Sequence, residues 1–81
     1  MLPLYNSCRL FRPCTPTIKN KWKCVTITLQ MNREEYVNDR IHWCKENCTG
    51  KWSYYWQAYT GKANFYFKSR CNYLAFTFVW L

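Results

Sequence analysis

The sequence contains a single histidine, His42, and two cysteines that follow closely behind it, Cys44 and Cys48. Imidazole and thiolate are ligands that zinc prefers, and a thiol beside an imidazole can also act as a nucleophile with its base. On a helix, however, Cys44 and Cys48 share one face, and His42 lies about 160° from Cys44. No Cys-x-x-Cys pair exists to complete a zinc site. The spacing therefore predicts buried structural thiols, a surface histidine, and no metal or cofactor.

The acidic residues do not suggest catalysis either. All four are confined to one short segment, where Arg33, Arg40 and Lys45 neutralise most of their charge: Glu34, Glu35, Asp39 and Glu46. Mixed charges of this kind are typical of a solvated helix face. The two glycines, Gly50 and Gly61, form no Gly-rich phosphate-binding loop. We therefore expect no enzymatic activity.

The basic residues are distributed very differently. The chain has 12 Lys and Arg, of which three lie within residues 33–46, so nine bases and no acid remain in the rest of the sequence. Such an uncompensated positive potential favours polyanions or acidic protein surfaces as partners.

Two regions differ in composition. Residues 1–20 contain all three prolines and no acid, which predicts an irregular, basic N-terminal arm. Residues 21–81 predict a single α+β domain. No apolar run approaches the roughly 20 residues of a membrane span, and the first residues lack the basic and apolar regions of a signal peptide. We expect reduced cysteines, with a Cys8–Cys14 disulfide as the alternative in the arm.

Residue patterns predict the elements of the domain. Alternation with β-branched residues predicts a strand over residues 22–30, and the same pattern predicts strands over 51–60 and 64–68. Between the first two strands, Asn32 and Glu35 form a candidate capping box for a helix that runs to about residue 47. The helix has one apolar stripe for the core: Val37, Ile41, Cys44 and Cys48.

The C-terminal residues fit both helical and strand spacing. We predict a short helix over residues 69–76 and a last strand over 77–80. The result is α+β, a small antiparallel sheet with one main helix in the β-α-β-β-α-β order of ferredoxin-like folds. The alternative is a β-α-β-β-β meander in which the tail is a strand.

In the ferredoxin-like arrangement, helices cover one face of the sheet and leave the other open. Tyrosines and cations fall on that open face or at its ends, and we predict that they form a binding face: Tyr55, Tyr59, Tyr66, Lys23, Lys51, Lys62, Lys68 and Arg70. Coverage of the tyrosines by the N-terminal arm or by a second copy of the domain is the alternative.

A longer pattern extends over most of the chain. Residues 43–54 read Trp-Cys-Lys-Glu-Asn-Cys-Thr-Gly-Lys-Trp-Ser-Tyr, a Phe-Tyr-Phe strand follows at 65–67, and Ala-Phe-Thr-Phe-Val-Trp closes the chain at 75–80. The pattern resembles small uncharacterised proteins of tailed bacteriophages, notably cyanophages and other marine phages. The resemblance covers residues 22–81 and leaves the arm outside. After Phe-Tyr-Phe the phage pattern has an acidic pair, where this chain has Lys68-Ser69-Arg70. The resemblance implies a viral protein inside the host cell and no known chemistry.

Two kinds of partner follow from the charge, the aromatic residues and the resemblance. The first is a host protein with an acidic surface, which a phage-encoded binding protein in the host bacterial cytoplasm would inhibit or redirect. The second is single-stranded nucleic acid, whose bases would stack on the tyrosines while cations hold the phosphates. A homodimer through the open sheet face is a further expectation, and we expect no membrane partner.

Overall fold

A computed structural model describes residues 9–28, 34–57 and 60–80 of the 81-residue chain. Within these ranges, three helices and three strands follow one another in the order α1 (Pro16–Lys21), β1 (Lys23–Thr28), α2 (Glu34–Asn47), β2 (Trp52–Gln57), β3 (Lys62–Phe67) and α3 (Arg70–Trp80). The predicted α+β class with a small antiparallel sheet is confirmed.

The sheet has the strand order β1-β3-β2, and both neighbouring pairs are antiparallel. Phe65 in the central strand pairs with Val25 on one side and with Tyr54 on the other. Strands β1 and β2 therefore run parallel, with β3 inserted between them and α2 as their connection. This is the split β-α-β unit on which the ferredoxin-like prediction depends.

The predicted last strand over residues 77–80 is wrong. Helix α3 continues to Trp80, so residues 77–80 form neither the last ferredoxin-like strand nor the strand of the alternative meander. The difference between Phe76 and Phe78 shows why: Phe76 is 0% exposed, whereas Phe78 is 90% exposed. Both would face the same way on a strand, but on a helix they lie roughly 160° apart.

The core lies between one face of the sheet and the helices α2 and α3. Phe76 occupies its centre, with its ring centroid 5.0 Å from that of Phe65, 5.1 Å from Phe67 and 5.7 Å from Trp43. Each such pair contributes about 0.5–1.5 kcal/mol beyond the burial of its area. The residues predicted to face the helices on β1 and β3, and the α2 stripe, are buried: Val25, Ile27, Phe65, Phe67, Val37, Ile41, Cys44 and Cys48.

The side chain of Asn72 joins the end of α2 to the start of α3. Its Oδ1 accepts a hydrogen bond from the Gly50 backbone N–H at 2.8 Å, and its Nδ2 donates to Thr49 Oγ1 at 3.3 Å. A Cβ at Gly50 would lie 3.1 Å from the Cβ of Ser69, so this close approach favours glycine. At the other end of α2, the predicted capping by Asn32 lies outside the described residues. None of the helices in the described ranges is long and apolar enough to cross a membrane.

The described part of the N-terminal arm contains an isolated β-bridge and a short helix. Phe11 forms a parallel bridge with Trp52, in which Arg12 N–H donates to Trp52 O at 2.9 Å and Trp52 N–H donates to Leu10 O at 3.1 Å. Thr15 then caps α1 by accepting a hydrogen bond from Ile18 N–H at 3.3 Å. The arm thus lies beside β2 at residues 10–12 and leads into β1 at the opposite edge of the sheet. Residues 16–20, predicted to be irregular, belong to α1.

Candidate functional site

Three of the predicted binding cations lie together because of the strand register. Phe67 at the end of β3 pairs with Lys23 at the start of β1 and with Trp52 at the start of β2. Lys51 and Lys68, the residues next to this row, are joined by a 3.0 Å hydrogen bond from Lys68 N–H to Lys51 O. Lys23, Lys51 and Lys68 therefore share one end of the sheet.

Helix α3 places a fourth predicted cation at the same end. Arg70 is its first residue, and with Lys23 it lines a shallow groove of about 430 Å³ that Cys24, Tyr73 and Leu74 complete. The groove is open to solvent and lies between the start of β1 and the start of α3. Two positive side chains on one groove favour an anionic group there.

The arm brings two further cations that the sequence prediction left out of the site. Because Phe11 pairs with Trp52, Arg9 and Arg12 lie near the start of β2. Arg12 Nη1 donates to the backbone oxygens of Arg9 at 2.6 Å and of Phe11 at 2.8 Å, which fixes the guanidinium against the arm. Their charge was visible in the sequence, but no local pattern predicts the pairing of the arm with β2.

We call this region the basic end, and it comprises Arg9, Arg12, Lys23, Lys51, Lys68 and Arg70. Five of its six side chains are exposed and Arg12 is half-buried. Within residues 9–28, 34–57 and 60–80, none of the six has an acidic partner. The basic end is therefore free to attract an anionic partner over a distance of about 8–10 Å at physiological salt.

The tyrosines are less accessible than we predicted. Tyr66 is only 4% exposed, and its register partner Ser53 is fully buried. Burial raises the pKa of the Tyr66 phenol above its usual 10.0, and the thiols of Cys24 and Cys14 raise it further. Because Cys14 belongs to the arm, the arm passes close to the Tyr66 phenol, and coverage of this face by the arm stays the alternative at this residue. The expectation of an open face is wrong at this residue.

The other predicted face residues lie apart from the basic end. Tyr55 is 40% exposed, and Lys19 of α1 places its Nζ 4.6 Å from the centroid of the Tyr55 ring. Lys62 is exposed at the opposite end of the sheet, where it pairs with Thr28. Tyr59 lies outside the described residues. Tyr55 with Lys19 is therefore a second, smaller candidate contact.

The residues considered for metal binding or catalysis do not come together. His42 lies on the solvent side of α2, with its Nε2 3.0 Å from Glu46 Oε2, whereas Cys44 and Cys48 are in the core. Among the described residues no group of three or more His, Cys, Asp or Glu could hold a metal ion. The described cysteines are free: Cys14, Cys24, Cys44, Cys48 and Cys71. Cys8 lies outside the described residues, so the alternative Cys8–Cys14 bridge stays a prediction.

The chemistry available at the basic end is the binding of anions. Guanidinium groups bind carboxylates and phosphates with paired hydrogen bonds, and ammonium groups act as mobile point charges. Neither group forms a covalent bond in this role. Comparison of the chain with protein-family models, curated proteins and solved structures found no match.

Proposed function

We propose that this protein is a non-enzymatic binding protein that docks its basic end on an acidic surface of another protein. The observation that carries the proposal is the convergence of six cations from the arm, β1, the residues next to β2 and β3, and α3 on one end of the sheet. Lys23 and Arg70 line one groove there, so carboxylates of a partner would meet both at once.

The identity of the partner is the finer part of the proposal. The resemblance of residues 22–81 to bacteriophage proteins supports a protein of the bacterial host, bound in its cytoplasm and inhibited or redirected. The charge pattern supports any acidic surface. Complementary charges accelerate association and set specificity more than they set affinity, which suits a small protein that has to find one target.

The test is capture of the partner from the host after nuclease treatment. A tagged protein should retain one specific protein, and the double variant Lys51→Glu/Lys68→Glu should lose it. The control Lys19→Glu/Lys62→Glu changes the net charge equally but lies away from the basic end. Once the partner is purified, we expect the first variant to bind about 2- to 30-fold more weakly, since exposed charge contacts contribute about 0.2–1 kcal/mol each. Equal losses in both variants, or no loss in either, would contradict the use of the basic end.

The second candidate function is single-stranded nucleic-acid binding, which Tyr55 favours. Its ring is 40% exposed and the Lys19 ammonium lies over one face of it, so a base that displaced the ammonium and stacked there would keep a cation close to its phosphate. Burial of Tyr66 removes a second stacking surface, so we place this function behind the first.

A fluorescent single-stranded oligonucleotide tests this candidate directly. The protein should bind the oligonucleotide at about 50 mM salt, and its affinity should fall steeply by about 200 mM. The reason is that the release of counterions from the oligonucleotide becomes less favourable as the salt concentration rises. Tyr55→Ala should weaken binding by roughly 5- to 100-fold, since stacking on an aromatic side chain contributes about 1–3 kcal/mol per base. The variant Lys19→Glu/Lys62→Glu should also lose binding here, unlike in the protein-docking case. No binding at the lower salt concentration would exclude the nucleic-acid function.

A further inference from the structure

The outer surface of α3 is apolar, and none of the residues in the described ranges covers it. Its outward residues are exposed: Cys71, Leu74, Ala75, Phe78 and Val79. Phe78 is 90%, Val79 52% and Leu74 48% exposed, while the opposite side of the same helix holds the buried Phe76. No charged residue follows Arg70 in α3. A helix that is apolar on all sides is normally buried on all sides, so this surface needs a partner.

Different polar and charged residues flank the two ends of this apolar surface. The Asn72–Gly50 hydrogen bond joins the start of α3 to the end of α2, and Arg40 lies 4.5 Å over the Trp80 ring at the other end. The two helices are therefore antiparallel neighbours. The start of α3 carries the cation Arg70, and the end of α3 lies beside the half of α2 that carries the exposed Asp39.

We propose that the apolar surface of α3 docks against the same surface of a second copy of this chain. The two α3 helices pack antiparallel about a two-fold axis, so each copy uses the same residues. Arg70 of one copy then lies beside Asp39 of the other, twice in the dimer. In an antiparallel pair, the partial positive charge at the start of each helix also lies beside the partial negative charge at the end of the other helix. This inference does not depend on the proposed function, with which it shares Arg70 and Leu74.

A second copy fits this surface better than an anionic membrane. Asp39 and Glu46 are exposed on α2 in the same helix layer and would face the lipid phosphates. The opposite sheet face, through which we predicted a homodimer, is covered at Tyr66 and Ser53. The helix layer therefore offers the better surface for a homodimer.

The exposed apolar area of α3 indicates the affinity that we expect for the dimer. Phe78 exposes roughly 150–200 Å², and with its neighbours the surface reaches about half of the roughly 800 Å² per partner in a standard interface. The Arg70–Asp39 pairs on either side of the apolar surface must therefore supply the rest of the interface. We expect a weak, salt-sensitive dimer that forms between about 10 and 300 µM, at the small end of specific interfaces.

Sedimentation equilibrium of the purified chain tests the proposal. The mass should rise with concentration from the 10.0 kDa monomer towards twice that value. Phe78→Ser should stay monomeric at about 300 µM, a concentration suited to a weak interface of this size. The matched control Tyr55→Ser removes an exposed aromatic side chain from the other side of the molecule and should associate like the wild type. Circular dichroism checks that both variants fold, as their exposure leads us to expect.

The charge pair separates this arrangement from any other dimer. Arg70→Glu should weaken association by about 10-fold, and the swap Arg70→Glu with Asp39→Lys should restore it. A wild type that stays monomeric at the highest concentration overturns the proposal, as does a swap without rescue. Loss of association in Tyr55→Ser but not in Phe78→Ser would assign the dimer to the sheet face. Binding of the wild type to anionic vesicles, lost in Phe78→Ser without any self-association, would assign the surface to lipid.

Discussion

Phe76 and Phe78 provide the sharpest test of this fold, because they have the same side chain and lie two positions apart in α3. Replacing either by Ala removes the same number of atoms and leaves the same helix former. Phe76 is 0% exposed and Phe78 is 90% exposed. Any difference between the two variants therefore reports on the environment of the ring and not on its chemistry.

The expected difference is large. A buried Phe→Ala replacement costs about 3–5 kcal/mol, and the Phe76 ring lies within 6 Å of Phe65, Phe67 and Trp43, so we expect the upper part of that range. An 81-residue domain has a free energy of unfolding of only about 4–12 kcal/mol. Phe78→Ala should change this by no more than about 0.5 kcal/mol, since an exposed ring loses few contacts and Ala is the better helix former.

Urea unfolding followed by tryptophan fluorescence measures both values. A protein concentration of about 5 µM keeps a weak dimer dissociated. If Phe76→Ala does not fold at all, Phe76→Leu keeps the experiment informative, with an expected loss of about 1–2 kcal/mol for a hydrophobic replacement of altered shape. Equal losses at the two positions would mean that both rings share one face, as on a strand. That result would refute the helical assignment of residues 77–80 and the placement of Phe76 in the core.

Three further predictions concern the connections and the buried phenol. Asn72→Ala should lower the free energy of unfolding by about 1–3 kcal/mol because it leaves the Gly50 N–H without its acceptor, while the exposed Asn38→Ala should change it by less than about 0.5 kcal/mol in the same urea assay. Gly61 has a φ of 71°, so Gly61→Ala should cost about 1 kcal/mol in thermal or urea unfolding, and no loss would argue against this turn. The raised pKa of Tyr66 means that its neutral phenol stabilises the folded state fully below about pH 10 and that this contribution is lost as pH rises through the higher folded pKa. Tyr66→Phe should therefore lose less stability than the wild type between about pH 9 and 11, and identical pH profiles would contradict this linkage.

Local patterns in the sequence were sufficient to predict those features of the fold that lie within a single helix or strand. The stripe Val37, Ile41 and Cys44 recurs at helical spacing, so α2 and its buried face could be predicted. Alternation placed Val25 and Ile27 on one face of β1, and both are buried. Each of these predictions uses a periodicity that the chain carries within a few residues. The segregation of acids into residues 33–46 is likewise a property of the sequence itself.

The C-terminal residues show where local patterns fail. Nearly every position from Cys71 to Trp80 is apolar, so both the helical and the strand period find apolar residues where they need them. The contacts of Phe76 with rings from β3 and α2 decide between the two. Those contacts exist only once the sheet and α2 have formed.

The candidate binding surfaces likewise depend partly on the sequence and partly on the tertiary structure. The sequence determined that the chain is strongly basic, that its acids lie on one helix, and that tyrosines lie in its second and third strands. Tertiary structure decided which of these residues meet. Pairing of Phe11 with Trp52 brought Arg9 and Arg12 to the basic end, and packing buried Tyr66. The physical reason is that periodicity fixes the face on which a side chain lies within its own element, whereas long-range pairing and packing fix what covers that face.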